Sequence, residues 1–141
     1  MSEQDNIRLV QKAYEFFQKG QIEDLIKLHA EDVEFISPGP PDVLHTAGTH
    51  RGHQGITQFF DTVGAEQDFE MFQPEEFIAQ GDKVVALIKC RSRIKATGKI
   101  AETTLVHVFD IKDGKLQRLR EFFDTAAVMS AFIAAQGATS K

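Results

Sequence analysis

Residues 83–124, KVVALIKCRSRIKATGKIAETTLVHVFDIKDGKLQRLREFFD, decide the fold. Apolar side chains alternate with polar or charged ones through three runs, and two turn signals, Thr97-Gly98 and Asp113-Gly114, separate them. Sustained period-two alternation marks a strand with one buried face, and a Gly-containing dipeptide between two such runs marks a hairpin. The stretch predicts an antiparallel meander of three strands: Lys83 to Ala96, Lys99 to Ile111 and Leu116 to Asp124.

Turn length sets the register. A two-residue Thr97-Gly98 turn predicts Arg93 opposite Glu102, Lys89 opposite Val106, Ile88 opposite His107 and Cys90 opposite Leu105. At the next hairpin two registers compete. A two-residue turn would set Phe109 against Arg118 and His107 against Arg120. A three-residue loop, Asp113 to Lys115, instead sets Asp110 against Arg118, Phe109 against Leu119 and His107 against Glu121. Matched cross-strand pairs contribute about 0.2–1 kcal/mol each, and a one-residue slip turns every side chain to the other face. The three-residue loop is therefore expected. One face of the sheet then carries Ile88, Cys90, Leu105, His107, Phe109, Leu119, Glu121 and Phe123. The other carries Val85, Leu87, Val106, Val108 and Phe122, ringed by Lys89, Arg91, Arg93, Asp110, Arg118 and Arg120. Helices can cover only the first face. An apolar patch left on a wet face marks an interface, and self-association is the simplest way to cover it.

Upstream the period changes. Ile7, Val10, Tyr14 and Phe17 recur at helical spacing, with Asp5 as the expected N-cap and Gly20 as the stop. Ile22, Leu25, Ile26 and His29 continue on a second, shorter helix. Val33 to Ser37 reads as a strand ended by Pro38-Gly39-Pro40-Pro41, and Asp42 to Gly52 as a loop. A third helix carries Ile56, Phe59, Phe60 and Val63 on one stripe, with Gly64 after it. Phe69 to Ala79 is strand-like, and Pro74 within it predicts a bulge or an edge position. Thr125 is expected to cap a last helix running to about Gln136, with a disordered tail over residues 137–141.

The chain has 141 residues, the size of one domain, residues 1–141, with enough apolar content, 42%, for a core without disulfides. Its net charge of −5 gives no general affinity for nucleic acid or anionic membrane. A single cysteine, Cys90, excludes an internal disulfide and fits a reducing compartment, so a cytoplasmic location is expected. The start of the chain shows no signal peptide, and the longest mostly apolar stretch, Ala126 to Ala135, is too short to span a bilayer. Phe occurs 12 times and Trp not at all, so the interior is aromatic and poor in hydrogen-bonding rings.

Certain motifs carry a resemblance across nearly the whole chain. They are Tyr14-Glu15-Phe16-Phe17 and Gly20 on the first helix, Ala30-Glu31-Asp32-Val33-Glu34-Phe35 entering the first strand, and Gly52-His53-Gln54-Gly55-Ile56 opening the third helix. The last strand adds Asp113-Gly114-Lys115-Leu116 and Arg120-Glu121-Phe122-Phe123-Asp124. In this order they resemble the nuclear transport factor 2-like superfamily, and within it the SnoaL-like, ketosteroid isomerase-related branch. The resemblance implies an α+β, cystatin-like cone: three N-terminal helices packed on a strongly bent antiparallel sheet, a short C-terminal helix, and a pocket closed by the helices. It also implies homodimers paired through the convex sheet face.

The resemblance assigns chemistry residue by residue. Ketosteroid isomerases place a carboxylate base just before the proline that ends the first strand, where this chain has Ser37. Their oxyanion hole needs a tyrosine and a protonated aspartate, and the matching positions are Ala13 and Leu105, with Tyr14 one residue away. Steroid isomerisation is therefore not expected. The limonene epoxide hydrolase branch needs an Arg between two Asp, and no strand carries Arg-x-Asp. SnoaL polyketide cyclases use a histidine on the penultimate strand and an aspartate across from it. His107 and Glu121 match those positions, with Glu for Asp.

His107 and Glu121 are also the only ionisable pair on the expected inner face, and such a pair can move a proton on a bound substrate. They are the expected catalytic residues. Tyr14, Phe35, Ser37, Ile88, Leu105, Phe109, Leu119 and Phe123 are the expected pocket lining. The expected activity is a cofactor-independent isomerisation, cyclisation or lyase reaction on a small hydrophobic carbonyl compound; the alternative is a ligand-binding or dimeric accessory module. Asp124 is expected to cap the last helix with Thr125. His45, His50 and His53 could hold zinc with Asp42, but their spacing fits no metal motif, so no metal and no cofactor are expected. Lys89, Arg91, Arg93 and Lys95 alternate on one strand beside Glu102. They read as a solvated rim, not a nucleic-acid surface. Cys90 reads as a packing residue.

Overall fold

The computed structural model describes residues 2–134, and the expected tail lies outside them; the last helix, expected to reach about Gln136, ends earlier, at Phe132, where Ile133 turns extended. α1 (Glu3–Gln18) starts at a capping box. Ser2 accepts from the Asp5 backbone N–H, and the Asp5 carboxylate accepts from the Ser2 N–H. Ser2 is thus the N-cap and Asp5 its reciprocal partner three residues in, a correction to the expected cap. Gly20, at φ +72°, ends the turn as expected. The buried stripe of α1 is Asn6, Val10, Ala13 and Tyr14.

α2 (Ile22–Lys27) is a single short piece. His29, expected on it, instead opens β1 (His29–Ser37). Inside the expected loop lies β2 (Gly48–Arg51), too short to show a period; it pairs antiparallel with β1 from Glu34/Arg51 to Ser37/Gly48. α3 (Gly52–Glu66) runs through Gly64 instead of stopping before it. β3 (Gln67–Gln80) is an edge strand with register shifts around Glu70 and between Pro74 and Glu76, so the proline sits at a bulge on an edge.

β4 (Lys83–Ile94), β5 (Ile100–Lys112) and β6 (Lys115–Phe122) form the meander. The first hairpin corrects the expected register. Ile94 closes on Lys99 across a four-residue loop, so Ile88 faces Leu105, Ala86 faces His107, Cys90 faces Thr103 and Arg91 faces Glu102. The slip is two residues, an even number, so each side chain keeps its expected face. In the second hairpin the turn is two residues, Asp113 (φ +51°) and Gly114 (φ +74°), with Lys112 opposite Lys115. Gln117 then adds one unpaired residue to β6. That bulge restores the pairing expected from a three-residue loop: Asp110/Arg118, Phe109/Leu119 and His107/Glu121.

The six strands form one sheet in the order β2-β1-β6-β5-β4-β3. It is mixed: β1 runs parallel to β6, with Phe35 beside Leu119 and Ile36 beside Arg120. The expectation of an all-antiparallel sheet is corrected there. α1, α2 and α3 cover the inner face, and their core includes Val10, Val33, Ile56, Val84, Ile88 and Leu116. α4 (Thr125–Phe132) closes a smaller cluster with Leu44, Ile94 and Ala101. Its N-cap is Asp124, whose carboxylate accepts from the Ala127 N–H, and Thr125 is its first helical residue. No helix among the described residues is long and apolar enough to cross a membrane.

Candidate active site

Register builds the site. The antiparallel pairing of His107 with Glu121, and the parallel pairing of Ile36 with Arg120, place His107, Glu121 and Ser37 side by side on three adjacent strands. All three point inward. Tyr14 reaches over them from α1. The Ser37 hydroxyl donates to Glu121 Oε1 at 2.8 Å. His107 Nε2 is 2.8 Å from Glu121 Oε2, and Tyr14 Oη is 2.7 Å from His107 Nδ1. Tyr14, Ser37 and His107 are buried, and the Glu121 side chain is 11% exposed.

The carboxylate fixes the direction of these bonds, because it only accepts: the Ser37 hydroxyl donates to Oε1 and His107 Nε2–H donates to Oε2. Burial, with the Glu121 charge adding to it, pushes the Tyr14 pKa well above its usual 10, so the hydroxyl that meets Nδ1 keeps its proton. Two donors converge on one carboxylate, which makes Glu121 the negative pole of the network. Both imidazole nitrogens are occupied, so His107 acts through its neighbours.

The network opens on a cavity of about 120 Å³. Tyr14, Phe35, Leu105, Phe109, Leu119 and Phe123 line it, as do His107 and Glu121. Two expected lining residues do not. Ser37 stands behind the Glu121 carboxylate and holds it, and Ile88 is fully buried in the packed core. Much of the wall was missed in the sequence reading: Phe17 from α1, Phe59 and Phe60 from α3, Phe69 and Phe72 from β3. The helical stripe of α3 could have flagged its two phenylalanines. The bulges of β3 hide which way its aromatics point. Cys90 is on the wall too, its thiol pushed up to about 12 by burial and the Glu121 charge, so it stays protonated and packs.

The loop histidines do not converge. His45 Nδ1 meets Glu66, His50 Nε2 donates to the Thr46 carbonyl, and His53 Nε2 donates to the His29 carbonyl. The four cations of the stripe on and just after β4 each have an acid on β3: Lys89 with Glu75, Arg91 with Glu70, and Arg93 and Lys95 with Asp68. The basic stripe is thereby neutralised within the chain.

Comparison with known proteins agrees with this architecture. The model of the SnoaL-like domain matches residues 10–119. An uncharacterized protein of Mycobacterium tuberculosis is 24% identical over 132 residues, 94% of this chain and 98% of its own. The crystal structure of a nuclear transport factor 2-like protein from Burkholderia xenovorans superposes with a TM-score of 0.84 at 30% identity, over 94% of this chain and 99% of that one. TerC, co-crystallized with polyporic acid, superposes at 0.82 and 30% identity over 91% of this chain and 98% of its own. The chain belongs to the SnoaL-like family of the nuclear transport factor 2-like superfamily.

Proposed function

We propose that this chain is a cofactor-independent isomerase, cyclase or lyase that moves a proton on a small hydrophobic carbonyl compound. The observation that carries this reading is the buried Tyr14–His107–Glu121–Ser37 network opening on a cavity walled by phenylalanine. Glu121 is the base. It takes the proton from the carbon next to the carbonyl, and the bonding pair moves into the carbonyl to form an enolate. The carboxyl group returns that proton to a second carbon, so the net change is an isomerisation and no other reactant is needed. His107 and Ser37 hold the carboxylate in place, and the Tyr14 hydroxyl leaves His107 Nδ1 to donate its one proton to the enolate oxygen. The co-crystallization of the similar TerC with polyporic acid supports an organic ligand in a cavity of this kind.

The test is deuterium exchange into 1-indanone, followed by NMR. The parent should accelerate exchange, and Glu121→Gln, which keeps the shape and removes the base, should lose about 10²–10⁴-fold. Saturable binding without exchange in the parent would replace this reading with the ligand-binding module.

The same reading includes a homodimer. Val85, Leu87, Val106 and Val108 are half-buried on the outer face, and Phe122 beside them is 48% exposed. No helix among the described residues lies on that side, and a second copy would remove this patch from water.

A further inference from the structure

A second polar set lies along the same cavity, and the proton transfer does not use it. The inward positions of β4 are Val84, Ala86, Ile88, Cys90, Ser92 and Ile94, all buried. Ser92 is the one hydroxyl in that row and is 2% exposed. Its Oγ donates to Oε1 of Gln67 at 2.8 Å. Gln67, half-buried, begins β3, and both side chains are on the cavity wall. The bond sorts the carboxamide: the oxygen faces Ser92, and the two N–H groups of Nε2 meet no partner among the described residues. Val63, Phe69 and Phe72 share that part of the wall. Gln67 is half-buried, so these donors are open to an acceptor in the cavity, a water or a ligand oxygen.

The position of this pair sets what could accept. Ser92 stands opposite Ala101, six residues from His107 along β5, which is roughly 20 Å of strand before the bend of the sheet is counted. Between the two ends the wall is aromatic, with the Phe17, Phe69 and Phe72 rings 4.8–5.7 Å apart. Aromatic faces between the two ends favour a flat, conjugated molecule.

We infer that Gln67, oriented by Ser92, is a specificity-determining anchor that donates a hydrogen bond to an oxygen at the far end of an elongated conjugated substrate whose reacting end lies at Glu121. This rests on the proton-transfer reading and adds the substrate's shape: two oxygen functions at opposite ends of a flat skeleton. A compound with oxygen only at the reacting end leaves the Gln67 donors unmet and binds less tightly.

The experiment compares 4,4′-dihydroxy-trans-stilbene, a long conjugated molecule oxygenated at both ends, with 4-hydroxy-trans-stilbene, oxygenated at one. Binding is read from the stilbene fluorescence, against a chain that contains no tryptophan. The parent should bind the diol about tenfold more tightly, the worth of one good hydrogen bond. Gln67→Leu should bind the two equally. Ser92→Ala keeps the amide but frees its orientation, and the preference should fall to about threefold. Equal parent affinities, or a preference that survives Gln67→Leu, overturn the inference. Should Gln67→Leu fail to fold, an undiminished preference in Ser92→Ala overturns it alone. Equal affinities with Glu121-dependent exchange intact sink the anchor and leave the proton transfer standing. A preference without exchange supports the anchor and sinks the proton transfer. No binding of either compound overturns the anchor.

Discussion

His29 is buried beside the cavity, and desolvation, more than any other cause, pushes its pKa down to about 4. Its Nδ1–H donates to the Leu25 carbonyl at 2.9 Å, a bond a neutral imidazole can make. An unfolded histidine titrates near pH 6.5, so between pH 6.5 and 4 the unfolded chain holds a proton the folded chain lacks. The folded pKa is the depressed one, so stability rises with pH across that window and is lost as pH falls. From pH 7 to 4.5 this one residue should remove about 2 kcal/mol. Urea unfolding at the two pH values should show His29→Asn, which keeps a donor for Leu25, losing that much less than the parent. Equal losses would mean His29 is not the neutral buried group described. At this scale the candidate site was half legible. His107 and Glu121 are found by pairing like with like across a hairpin. Ser37 is not, because its neighbour Glu121 is 84 residues away on a parallel strand, and no local period encodes such a pairing.

Gly64 shows how a residue's usual meaning yields to its element. Glycine after an apolar stripe reads as a stop, yet α3 continues to Glu66, and a β-carbon built at Gly64 would meet nothing within 4 Å. Glycine in a helix interior costs roughly 0.5–1 kcal/mol relative to alanine. Gly64→Ala should therefore raise stability by about that much in chemical denaturation, with an unchanged slope. A destabilised variant would show that α3 does not run through this position. The meander teaches a related lesson. Its strands and faces follow from alternation, but its loop lengths do not. The first hairpin slipped by two and lost nothing. The second has a tight turn and keeps the Glu121 side chain inward only because Gln117 bulges out of β6. Alternation fixes which residues must share a face; it cannot say whether a loop or a bulge achieves it. The four residues of β2 carry too little pattern to be seen.

The whole molecule leaves two differently treated outer surfaces. The end near the β3–β4 edge is laced with ion pairs, whereas the middle of the sheet offers valine, leucine and phenylalanine to water. Sedimentation should find the parent as a dimer at micromolar concentration and Val106→Glu as a monomer, since a charge buried without a partner opposes association. A monomeric parent would remove the dimer from the proposal.

The row formed by His107, Glu121 and Ser37 ties together distant parts of the chain, with Tyr14 93 residues from His107. None of the hairpins alone holds it, and neither does the helical first half. It is complete only when β1 docks alongside β6, a contact that joins the two halves. Such non-local closure is slow, because the loop must be ordered before any contact rewards it. If the proton-transfer proposal holds, regain of exchange during refolding is a clock for that last closure. It should lag behind the recovery of strand signal in circular dichroism, and a chain cut anywhere before β6 should fold in pieces and never start the clock.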